Sequence, residues 1–168
     1  LVSMGEALAR ALPHATFRTG NAPGADQAFA EGVARLNPSR LEYVLPNAGH
    51  RRKERSAAAR VVAFADVTAE VEERVARLTA ACSPEYESLL AKRHRNARLK
   101  STALYILRDT LKVLGAPEAD LTPATAGLFY ANPDDPMKGG TGHTIRVCRL
   151  SGVPVILQDA WRGWFPVG

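Results

Sequence analysis

Twice along this chain a short apolar run ends in a cluster of glycines that opens an amphipathic stretch. Ala15-Thr16-Phe17-Arg18-Thr19 runs into Gly20-Asn21-Ala22-Pro23-Gly24, after which residues 25–36 show the period of a helix. Ala126-Gly127-Leu128-Phe129-Tyr130 is followed by a Pro- and Asp-rich loop, then by Lys138-Gly139-Gly140-Thr141-Gly142-His143 and the helical run Thr144 to Leu150. A further apolar run, Val153-Pro154-Val155-Ile156-Leu157, closes that unit. Strand, glycine turn, helix and strand form a crossover, the connection that parallel strands require. The chain is thereby restricted to α/β folds.

The rest of the sequence fits the same alternation. The spacing predicts helices over 3–12, 24–36, within 69–92, over 96–114 and over 142–151, and strands over 15–19, 41–45, 61–65, 126–130 and 153–157. The longest helix repeats its apolar positions at Leu99, Ala103, Ile106, Leu107, Leu111 and Leu114, with Gly115 and Pro117 as its stop. Pro46–His50 and Asn132–Pro136 read as loops. With 168 residues, 46% of them hydrophobic, the chain can bury one core, and 1–168 reads as a single domain. It opens at Leu1 directly into a helix, so a strand and loop are expected to precede it. Cys82 and Cys148 are far apart and in no metal-ligand pattern, which predicts neither a disulfide framework nor a zinc site. No apolar run approaches the roughly 20 residues that span a bilayer, and a cytoplasmic protein without membrane contact is expected.

A glycine cluster at a strand end lets the backbone approach an anion, and the helix that follows points its free N–H groups at the same place. Gly20, Asn21, Ala22, Gly24 and Asp26 from the first turn, with Gly139, Gly140, Thr141, Gly142 and His143 from the second, are therefore the candidate ligand-binding residues. Ligands of open parallel sheets collect beyond the carboxyl ends of the strands, so both turns could line one crevice. Asp26 reads equally as a helix cap and as an acceptor for a sugar hydroxyl. His143 reads either as a proton carrier beside a phosphate or as an ordinary first-turn residue. Asp134 and Asp135 could hold Mg²⁺ or a ribose, although the surrounding prolines favour a plain turn, and Tyr130 could stack on a base.

Thr19-Gly20-Asn21-Ala22-Pro23-Gly24-Ala25-Asp26, together with Gly139-Gly140-Thr141-Gly142 and Gly152-Val153-Pro154-Val155, resembles the Rossmann-like superfamily of DNA-processing protein A and the lonely-guy nucleotide phosphoribohydrolases. The likeness covers about half of the chain and is nearest to members described only as nucleotide-binding. It implies a three-layer, doubly wound, mostly parallel α/β sheet and a nucleotide-type small-molecule ligand, with no separate cofactor and no metal. The lonely-guy pattern Pro-Gly-Gly-x-Gly-Thr-x-x-Glu meets Lys138, His143 and Arg146 where it has proline, threonine and the catalytic glutamate. Catalytic residues are therefore unassigned. An N-glycosidic hydrolase or transferase acting on nucleoside monophosphates would need another carboxylate, with Asp26, Glu31, Asp134 and Asp135 as candidates.

Charge supplies a third reading. The net charge of +5 is concentrated in Arg51, Arg52, Lys53 and Arg55 and in Lys92, Arg93, His94, Arg95, Arg98 and Lys100, which could follow a single-stranded nucleic acid. Neither cluster contains an aromatic for stacking. On a smaller scale, Arg51, Arg52 or Arg95 could reach into the cleft and clamp one phosphate. Trp161, Trp164 and Phe165 suggest either a homodimer contact or packing within the monomer.

Overall fold

The computed structural model describes residues 1–164, so Phe165 and any contact it makes lie outside the described residues. The fold is mixed α/β. α1 (Val2–Ala11) leads to β1 (Phe17–Thr19), α2 (Ala25–Leu36), β2 (Leu41–Leu45) and β3 (Arg60–Ala63). α3 (Ala69–Cys82), the short α4 (Glu87–Ala91) and the long α5 (Ala97–Leu114) follow, and then β4 (Gly127–Phe129), α6 (Gly139–Leu150), β5 (Val155–Leu157) and α7 (Gln158–Trp161).

All strand pairs are parallel, in two small sheets of order β1-β2-β3 and β4-β5. β2 is buried along its whole length because helices cover both of its faces. Leu41, Tyr43 and Leu45 pack with Ala9 of α1 and with Ala30 and Val33 of α2. Val44 points the other way, into a core with Val71 and Val75 of α3 and Leu107 and Leu111 of α5. Between them sits a buried charge. Glu42, 5% exposed, is in register with Arg18 on one side and Arg60 on the other, and meets each guanidinium at 2.7 Å. One carboxylate thus ties the three strands in a single row.

Local signals set the helix ends. The Asn96 side chain accepts from the Leu99 N–H at 2.9 Å to cap α5, and Gly115 at φ 68° ends it. α6 differs from its expected start at 142 by beginning at Gly139. Its second glycine cluster is therefore the first helical turn and not a loop before it, with Gly142 N–H bonded to the Lys138 carbonyl at 3.2 Å. The approach of the preceding backbone requires glycine in this turn, because a Cβ on Gly142 would stand 1.8 Å from the carbonyl oxygen of Met137, five residues earlier. Among the described residues, no helix is long and apolar enough to cross a membrane.

Candidate functional site

The first glycine turn is organised by its own acid. Asp26 Oδ2 accepts from the Gly20 N–H at 3.0 Å and the Ala22 N–H at 3.3 Å. Burial works to raise its pKa, but Lys112, the Thr19 hydroxyl, the Ala22 N–H and Arg108 outweigh it and hold the carboxyl below its ordinary value. The N-cap of α2 is Gly24, with no side-chain cap bond, so Asp26 is not its capping residue. The Asp26 carboxylate closes the turn from within and occupies two N–H groups that an anion could otherwise have used.

Arginines surround this turn. Arg108, in the middle of α5 and only 7% exposed, lies so close that a Cβ on Gly20 would stand 1.4 Å from its Nη1. Gly20 is glycine for that approach. Asn21, fully buried, donates from Nδ2 to the Arg51 carbonyl at 3.4 Å, and Arg51 Nη2 donates to Gln27 Oε1 at 3.1 Å. Among the described residues, four buried side-chain polar atoms have no hydrogen-bond partner: Asn21 Oδ1, Arg51 Nε, Arg55 Nη1 and Arg108 Nη1. Asn21 and Arg51 also carry positive φ, 55° and 45°, although neither is glycine. Such strain persists where surrounding structure enforces it and concentrates at binding sites.

Two aromatic rings border this cluster. Tyr105, 40% exposed, has the Arg108 guanidinium 6.0 Å from its ring centre and the His50 ring edge-on at 5.5 Å. Burial, with Arg108, Arg51 and Arg55 nearby, keeps the His50 pKa below its ordinary value. α5 thus supplies the aromatic missing from the basic segment around Arg51 in the linear sequence.

The second turn meets the same point of α5. Asp109, next to Arg108, sets Oδ2 where a Cβ on Gly140 would lie 3.2 Å away, while its Oδ1 is 2.9 Å from Lys112 Nζ and 3.3 Å from Arg108 Nε. Gly20 and Gly140 are therefore joined through consecutive residues of one helix. The amino end of α6 has no side-chain cap and no acid in its first turn, and Gly139 and Thr141 are exposed there. Its first N–H groups remain able to receive an anion.

His143 does not share that exposure. It is fully buried, with Nδ1 2.7 Å from Ser83 Oγ and Nε2 2.8 Å from Thr110 Oγ1. The tautomer follows from the chain of bonds. Thr79 gives its hydrogen to the Val75 carbonyl, so its oxygen receives the Thr110 hydrogen, and Thr110 in turn accepts from Nε2–H. Ser83 then donates to Nδ1 while accepting from Arg146 Nε at 3.0 Å. Burial, with Arg146 and Lys112 adding to it against the opposing pull of Asp109 and Glu85, lowers the pKa to about 4. His143 is a neutral core strut and not a proton carrier at the turn. Arg146, at the position of the lonely-guy glutamate, binds the Met137 carbonyl at 3.1 Å and Glu85 at 2.6 Å and so staples the loop before α6.

The remaining candidates lie apart. Glu31 pairs with Arg35 on the exposed surface of α2. Asp134 and Asp135 are exposed turn residues, the former with its N–H bonded to Asn132 Oδ1 at 3.0 Å. Tyr130 is exposed and leans on Trp161 at 6.3 Å between ring centres. In the second basic segment Arg93 is held by Glu72 and Glu73, while Arg95 and Arg98 are exposed. Arg108 and Asp109 escaped sequence reasoning because the period of α5 marks Leu107 and Leu111 as core. Charged residues flanking a core position in such a run were the available signal.

Among the described residues, no three His, Cys, Asp or Glu side chains gather to hold a metal. A depression of about 490 Å³ lies at the opposite end of β4 and β5, lined by Val113, Thr125, Ser151 and Val153, and another of about 200 Å³ lies beside Arg60 and Val67. Neither borders the glycine turns. Comparison with protein-family models, with curated proteins and with solved structures found no match for the chain.

Proposed function

We propose that the chain is a doubly wound, Rossmann-like domain that binds a nucleotide or nucleotide-derived ligand. The anionic group would sit among Arg108, Arg51 and Arg55 beside Gly20–Asp26, with the uncapped start of α6 at Gly139–Thr141 as a second anchor. One observation carries this reading. Arg108 and Arg51, which touch the first turn, each leave a buried N–H without a partner, and Arg55, near His50, leaves another. Such groups are costly to leave unsatisfied and are matched by phosphate or carboxylate oxygens. Around them, four cations (Arg51, Arg55, Arg108, Lys112) face three carboxylates (Asp26, Glu54, Asp109), so the local balance is positive by one charge. These atoms are closed from solvent, so entry requires the loop carrying His50 to Arg55 to swing away. Long contacts hold it there, with 3.4 Å from His50 to Tyr105 and 3.4 Å from Asn21 to Arg51.

A thermal-shift titration of the chain with nucleoside mono-, di- and triphosphates and a short oligonucleotide, at low and high salt, tests it. A salt-tolerant shift with a mononucleotide that disappears in Arg108→Met supports the reading. A shift with the oligonucleotide alone, lost at high salt, replaces it by single-stranded nucleic-acid binding across His50, Tyr105 and the basic loop.

The enzymatic extension has its own supporting observation, the Asp109 carboxylate against Gly140. There it could stabilise the oxocarbenium-like transition state of N-glycosidic cleavage. Base release from nucleoside monophosphates that Asp109→Asn abolishes is the expected result, and no base release at high protein concentration sets this extension aside.

A further inference from the structure

The reading above concerns the orphaned donors; the orphaned acceptor has a separate meaning. Asn21 is fully buried and its Oδ1 has no partner. Nδ2 faces the Arg51 carbonyl at 3.4 Å, a place for a donor, which leaves Oδ1 as the unpaired acceptor. Spare guanidinium N–H groups belong to Arg51, whose carbonyl Asn21 already touches, and to Arg108, which packs on the preceding residue Gly20. The spare acceptor and the spare donors do not pair with one another, and both Asn21 and Arg51 have positive φ.

A single ligand that satisfies this cluster carries an anion and a hydrogen-bond donor together. An internal phosphodiester of DNA has no hydroxyl to offer, and inorganic phosphate offers only the P–OH of its own charged group. We propose that Asn21 Oδ1 accepts a hydrogen bond from a sugar hydroxyl of the ligand, so that the site selects phosphorylated sugars with a free hydroxyl, the class of ribonucleotides. This rests on the reading of the first turn as an anion site. Asn21 is then a specificity-determining residue, with Arg108 and Arg51 holding the charge.

The test uses the whole chain and compares, by isothermal titration, AMP, GMP, CMP and UMP with their 2′,3′-dideoxy counterparts and with inorganic phosphate. Asn21→Gly removes the acceptor and accommodates the left-handed backbone. The expected result is a ribonucleotide preference of about tenfold or more in the native chain, the loss from leaving a buried polar group unpaired. In Asn21→Gly that ratio should fall to near one with phosphate affinity retained. Equal affinity for ribo and dideoxy forms, or a preference that survives Asn21→Gly, overturns the assignment and leaves the anion site standing. If nothing phosphorylated binds the native chain, the anion site itself fails along with it. Should Asn21→Gly not fold, the ratio in the native chain decides.

Discussion

Acidification should expose the role of His143 directly. In an unfolded chain its imidazole titrates near 6.5, whereas in the folded chain burial lowers the value to about 4. Ser83 donates to Nδ1 and already accepts from Arg146, so a proton on Nδ1 would set two donors against one hydroxyl oxygen and add a charge beside the guanidinium. Below pH 6.5 the unfolded chain binds the proton more readily than the folded one. The stabilisation is therefore complete above pH 6.5 and is lost as the pH falls toward 4, amounting to about 3 kcal/mol over the whole window. Urea midpoints at pH 7.5, 6.5, 5.5 and 4.5 would measure it, with His143→Gln removing this titration from the carboxylates that share the range. Between pH 6.5 and 4.5 the native chain should lose about 2 kcal/mol more than the variant. Parallel profiles would refute the argument, as would an NMR titration showing the imidazole protonating near 6.5 or carrying its neutral-state proton on Nδ1.

Glu42→Gln leaves Arg18 and Arg60 without their shared buried partner and should destabilise the chain by about 3 kcal/mol or more, read from the denaturant midpoint. Gly20→Ala expels the Arg108 guanidinium and should abolish phosphate binding with a stability change within about 1 kcal/mol, whereas Gly142→Ala drives a Cβ into the Met137 backbone and should cost about 3 kcal/mol of stability. Arg108→Met removes a buried, incompletely bonded charge and should leave the melting temperature equal or higher while eliminating the response to any phosphate compound. A bound anion should raise the depressed His50 pKa, so phosphate affinity should increase as the pH falls from 7 to 5.5, and His50→Gln should flatten that dependence.

The elements of this chain were legible because their signals are local. The period of α5, its Asn96 cap and its Gly115 stop place that helix within a residue of where it lies, and β2 begins and ends where its apolar run does. Strand ends expected at 15, 65 and 153 lie two residues inward, at Phe17, Ala63 and Val155, and the start of α6 is displaced furthest. Lys138-Gly139-Gly140-Thr141-Gly142 has the composition of a loop, yet it winds into α6 because Met137 folds back onto a glycine that offers no side chain to obstruct it.

What the sequence determined by itself is the alternation of parallel strands and helices and the position of both glycine turns, since backbone freedom and apolar period belong to consecutive residues. What only the tertiary structure decided is which side chains meet there. It turned His143 inward and Asp26 back onto its own turn, and it delivered Arg108 and Asp109 to Gly20 and Gly140 from a helix more than eighty residues beyond the first of them and some thirty before the second. A helix presents its faces according to what packs against them. The chemistry of the turns therefore had to come from residues that no spacing in the chain connects to them.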